Sequence, residues 1–227
     1  MFVRAFVHSF SVRFYPEAEG NMKKMSNKAI LTTKVIAYAA VSAAAVMVAT
    51  LLGFSSAQFY FNLGDSVILI VSAIFGPVIG MFAGGIGSFF ADLAVYPVTM
   101  FYTLIIKGLE GLIVGLLIKL VKKFVKKKPL NITLSIASMA LGAYLMMTGY
   151  FICQTFFYGS YASALVALPM DAVQATVSLF VASIALYPLK LIDKSDKVFS
   201  VKSLDEKIKK EKTAKEKFDE TENSDNK

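Results

Sequence analysis

Apolar residues fill six long tracts of the chain, with polar side chains admitted at few positions inside them. The first tract covers about 35–52. As a helix it reaches roughly 27 Å at about 1.5 Å per residue, close to the ~30 Å of a bilayer core. The second, about 65–75, is short and ends at Gly76-Pro77, a pair that breaks a helix. The third is predicted at about 78–95, the fourth at 100–121 and the fifth at 131–156. The sixth is predicted at about 169–191, opening with Pro169 at a first helical position.

Backbone groups in hydrocarbon must bond within their own segment, so tracts of this length predict helices that span a membrane. The expected fold is an all-α membrane protein with six transmembrane helices and both termini cytoplasmic. Residues 29–191 form the expected transmembrane domain. Residues 1–28 read as a leader, either an over-extended start or a disordered arm, because Arg4, His8, Arg13, Glu17 and Glu19 interrupt any signal-peptide core. Met22-Lys23-Lys24-Met25 is a more natural beginning. Residues 192–227 are rich in Lys, Glu and Asp and read as a charged cytoplasmic tail.

Composition sharpens this picture. Of 227 residues 56% are hydrophobic, and the mean hydropathy is +0.60. The net charge of +8 is segregated at the ends of the apolar tracts, as topogenic charge is, so nucleic acid is not an expected partner and membrane lipid is. With the N-terminus inside, Lys23, Lys24, Lys28 and Lys34, the Lys119–Lys128 cluster and the tail all fall on one side. The opposite linkers, about 54–63, 96–99 and 157–168, carry no Lys or Arg. One cysteine, Cys153, and one histidine, His8, are too few to build a metal site or an internal disulfide. Neither a metal nor a cofactor is expected.

Charges inside the tracts are the candidate chemistry. Asp65, Asp92, Lys107, Glu110 and Asp171 are the only charged residues within 35–118 and 129–189. An ionised side chain at the bilayer centre costs about 2.5–3.5 kcal/mol on insertion scales, so a chain keeps one there with a partner or a use. Asp65 reads as a first-turn acid or cap of the second helix, a favourable position, and Asp171, just past Pro169, reads the same way. Asp92 opposes the dipole at a helix C-terminus. Lys107 can neutralise Asp92 or Glu110, or contact a ligand. The expected topology sends these residues, with Asn62, Tyr96, Gln154 and Gln174, toward the outer half of the membrane. A shared polar cavity for a hydrophilic small molecule follows, and the aromatic residues near the same surface serve an interfacial belt or stack on a planar ring.

Small residues form a separate pattern. Gly80, Gly84 and Ser88 recur every fourth position in the third tract, and Gly108, Gly111 and Gly115 mark the fourth. Such spacing lets helices approach closely. Ala39, Ala40, Ala43 and Ala44 make an alanine face on the first, a candidate docking surface for a second protein.

The runs Asn62-Leu63-Gly64-Asp65, Gly76-Pro77-x-x-Gly80, Gly84-Gly85-x-Gly87, Ala91-Asp92 and Ile106-Lys107-Gly108-x-Glu110-Gly111 resemble the S components of energy-coupling factor (ECF) vitamin importers, the riboflavin-transporter type most closely. The resemblance covers about 34–191. It implies a membrane subunit, not an enzyme, that captures a water-soluble vitamin, riboflavin or a relative, from outside. Its implied partners are a transmembrane coupling protein and two ATPase subunits, with the alanine face as the docking surface. No G-x-x-x-x-G-K-[ST] phosphate loop occurs in the chain, so ATP hydrolysis is assigned to those partners. The implied location is a bacterial plasma membrane, spanned several times. A stand-alone secondary transporter using Asp92, Lys107 and Glu110 as a proton relay is the alternative.

Overall fold

The computed structural model describes residues 27–55, 60–157 and 160–188. Most of the expected leader, and all of the expected tail, lie outside them. Contacts divide the chain into Met1–Ala39 and Ala40–Lys227, and the packing below is that of the second unit. The described residues form six helices: α1 (Asn27–Leu51), α2 (Gly64–Phe75), α3 (Pro77–Val95), α4 (Met100–Phe124), α5 (Lys128–Phe157) and α6 (Tyr161–Leu186). Between α1 and α2, β1 (Phe54–Ser55) and β2 (Tyr60–Phe61) pair antiparallel as a two-residue bridge. By length and composition α3, α5 and α6 are apolar enough to cross a membrane, and α2 is a shorter apolar helix.

Local sequence sets the boundaries. Gly76 adopts φ +88°, and the next residue, Pro77, takes the first position of α3, where a missing N–H costs nothing. The chain therefore turns sharply and α3 folds back beside α2. The sixth helix departs from expectation. It begins at Tyr161, capped by the Ser160 hydroxyl, which accepts from the Ser163 amide at 3.2 Å, and Pro169 lies inside it. A proline is tolerated within a helix packed among others, where neighbours re-satisfy the freed carbonyl. The segment expected as an outer linker is thus largely helix, and Asp171 is an interior residue rather than a first-turn acid.

α3 and α4 make the most extensive contact. Glycine creates it: a Cβ at Gly85 would stand 3.0 Å from the Leu104 carbonyl, and one at Gly115 would stand 2.6 Å from the Pro77 backbone. On α1, Val46 and Ala43 are buried, with Gly87 of α3 admitting their backbone and side chain at close range, while Ala40 and Ala44 are exposed. At the end of the molecule that carries the lysine cluster, Leu69, Ala73, Val114, Ile118, Met139, Ala182 and Leu186 form an apolar core. There Lys122 donates to the Ala73 carbonyl at 3.2 Å, covering the last turn of α2.

Candidate functional site

α2 has 12 residues, roughly 18 Å at about 1.5 Å per residue, too short for a ~30 Å core. Its C-terminal end meets Lys122, so its N-terminus ends among the other helices. The Asn62 side chain fixes that end, accepting from the Gly64 amide at 2.8 Å. A Cβ at Gly64 would crowd the Asn62 carboxamide at 2.8 Å, so glycine lets the turn close. Asp65 follows in the first turn, facing inward and 1% exposed.

Four helices converge on this carboxylate. Lys107 of α4 pairs with it through Nζ and Oδ1. Gln174 of α6 donates from Nε2 to Oδ2 at 2.7 Å. The Gln174 Oε1 in turn accepts from the Asn62 amide at 3.0 Å and from Asn62 Nδ2 at 3.3 Å. That amide orientation is chemically forced, because a carboxylate only accepts and a backbone N–H only donates. Tyr150 of α5 lays its ring under Lys107 Nζ, 5.2 Å from the centroid, a favourable site for a cation. Glu110, one turn along α4, brings Oε2 to 3.8 Å from the same ammonium.

A hydroxyl chain extends the cluster. Tyr150 donates its OH to Thr103 Oγ1 at 3.2 Å, and Thr103 also interacts with the Asp92 carboxylate. Asp92 Oδ2 accepts from Thr99 Oγ1 at 2.6 Å. Asp92 is therefore held by hydroxyls from the start of α4, and the carboxylates of the two ion pairs on Lys107 are those of Asp65 and Glu110.

Lys107, Glu110 and Asp65 are 3%, 1% and 1% exposed, so each charge is taken almost wholly from water. Such burial is repaid only when geometry and hydrogen bonds are good. Asp65 meets that condition through Lys107 and Gln174. Neither oxygen of Glu110 has a hydrogen-bond partner among the described residues.

Among the residues proposed from sequence, the fold brings Asn62, Lys107, Glu110 and Gln174 into one network. Asp92 joins through Thr103. Asp171 is half-buried and near enough to feel the charges of Lys107 and Asp65. Gln154 is half-buried one turn beyond Tyr150, and Tyr96 is 52% exposed past the end of α3. Asp65, at the centre, was readable as a cap alone; its role as the principal counter-ion of Lys107 comes from long-range packing. Lys107 and Glu110 also lie mid-helix in α4, and Gln174 mid-helix in α6. Lys107 and Glu110 thus lie two to three turns into α4, as expected, whereas the earlier start of α6 puts Gln174 and Asp171 further along their helix than the first two turns expected. Among the described residues no group of three or more His, Cys, Asp or Glu could hold a metal ion.

Helices of this hydropathy around a buried polar network define an integral membrane protein with an internal polar site. The chain belongs to the family of ECF-type riboflavin transporter S components, whose model matches residues 30–191. That family consists of transporter subunits, not enzymes. A protein of Pyrococcus woesei, described as an uncharacterized protein in a gap 3′ region, is 36% identical over 135 residues, 60% of this chain and 85% of its own length.

Proposed function

We propose that the chain captures a water-soluble vitamin, riboflavin or a close relative, from the outer side of a cell membrane. Its six helices are embedded in that membrane, the 12-residue α2 reaching only part of the way across, and both termini lie in the cytoplasm. The observation that carries this function is the network Asn62–Gln174–Asp65–Lys107, backed by the Tyr150 ring. It gathers donors, acceptors and an aromatic ring between apolar helices, the chemistry a site for a polar heterocycle requires. Lys107, Glu110, Asp92, Asn62 and Gln174 belong to the proposed substrate machinery, with Asp171, Gln154 and Tyr96 at its margins. Family membership favours riboflavin over other small solutes.

Transport then needs a coupling protein and two ATPases, which dock on the exposed alanines of α1, Ala40 and Ala44. Ala43 supports that surface from beneath by packing on α3. Proteoliposomes provide the test. Riboflavin uptake is expected only when the coupling module and ATP are present. Uptake by this chain alone, driven by a proton gradient, would establish a self-sufficient carrier instead.

A further inference from the structure

The membrane-embedded tracts hold four acids, Asp65, Asp92, Glu110 and Asp171, against one base, Lys107. Three of the four acids are compensated or only half-buried. Asp65 holds Lys107 and Gln174, Asp92 holds the Thr99 hydroxyl, and Asp171 is half-buried rather than enclosed. Glu110 is different. It is enclosed, both its oxygens lack a hydrogen-bond partner among the described residues, and the one cation in reach stands 3.8 Å away, committed to Asp65. The charged groups acting on it are Asp65 from α2 and Lys107 on its own helix. Neither supplies a second positive charge. A buried carboxylate with no hydrogen bond and only a shared cation 3.8 Å away is poorly compensated, and such a group takes up a proton instead.

We propose that Glu110 carries a proton in the resting protein, and that Lys107 is a movable cation shared between Asp65 and Glu110. Closing the 3.8 Å gap needs a rotamer change of one flexible side chain. When Asp65 loses its hold, Lys107 swings to Glu110, the Glu110 O–H bond breaks, and its electron pair stays on the carboxylate facing the ammonium. The proton leaves to solvent. A neutral donor group of a ligand, seated on Asp65, would trigger this step, so occupancy of the site would be coupled to release of one proton. Nothing in the family assignment requires this, and the resting-state claim stands whatever ligand the site takes.

Infrared spectroscopy of the ligand-free full chain tests it without altering Glu110. Glu110 is the sole glutamate between Glu19 and Glu206, and water-exposed glutamates are ionised at about pH 8, having a reference pKa near 4.3. Labelling all glutamates with carboxyl-13C is expected to shift one carbonyl band of a protonated carboxylic acid, corresponding to about one group per chain. Asp65→Asn imitates the loss of the Asp65 charge, and in that variant the shifted band is expected to vanish as Lys107 ionises Glu110. Absence of a label-sensitive acid band in the wild type would overturn the proposal. So would its persistence in folded Asp65→Asn protein, which would leave Glu110 protonated but Lys107 immobile.

Discussion

Replacing Lys107 with methionine keeps the length of the side chain and removes the ammonium at the centre of the network. Asp65 is left with Gln174 alone, and Glu110 with no cation, at positions each 1% exposed. Breaking a buried pair from one side costs about 3–5 kcal/mol, because the remaining charge has no compensation. Asp65→Asn is milder, about 1–3 kcal/mol, since Lys107 can move to Glu110 and the asparagine can still meet Gln174. The double variant Lys107→Met/Asp65→Asn leaves no unpaired ion on α2, so its cost is expected to fall short of the sum by about 0.5–3 kcal/mol. Reversible unfolding in mixed micelles, followed by helical circular dichroism, measures all three. A Lys107→Met cost below about 1 kcal/mol, the range of exposed pairs, or strict additivity of the two changes, would refute the buried-pair account.

Other consequences of the packing and the site are open to measurement. Gly111→Ala forces a methyl into the Gly80 backbone, whereas the nearest atom to a Cβ at Gly108 is 3.7 Å away; the first is expected to cost about 1–3 kcal/mol and the second to leave thermal stability unchanged. Gln174→Ala removes three hydrogen bonds at once, and calorimetry is expected to show riboflavin affinity reduced at least tenfold, about 1.4 kcal/mol. Ala44→Leu is expected to impair co-purification with the coupling module while riboflavin binding persists. Ala43→Leu, directed at α3, is expected to lower thermal stability instead.

The fold was legible where one residue type decides the local outcome. Gly76-Pro77 ends one helix and starts the next because glycine alone takes the left-handed turn comfortably and proline suits a first helical position. The same rule misplaces the start of α6, since it makes Pro169 an opening residue while the helix begins at Tyr161. The Ser160 cap is a weaker sequence signal than proline, yet it opens the helix, and packing among neighbouring helices overrides the proline. The site was legible in its parts. Lys107 and Glu110 declared themselves by their cost in an apolar helix, and Gln174 by its isolation among apolar neighbours. Asp65 did not, because a first-turn acid already has a sufficient local explanation in the helix dipole. Its pairing with Lys107 spans 42 positions of sequence, and the depth of the α2 N-terminus depends on a helix too short to cross. Tyr150 was hidden similarly: an aromatic residue near a membrane surface has a general explanation, and only assembly places its ring beneath a cation.

The central claim is that this internal network binds a vitamin, and calorimetric titration of the purified, ligand-stripped chain with riboflavin tests it most directly. One riboflavin per chain is expected, bound more tightly than about 10 μM, which corresponds to roughly 7 kcal/mol, with the affinity lost or strongly reduced in Gln174→Ala. No binding at that level by riboflavin or by any member of a panel of water-soluble vitamins and their precursors would contradict it.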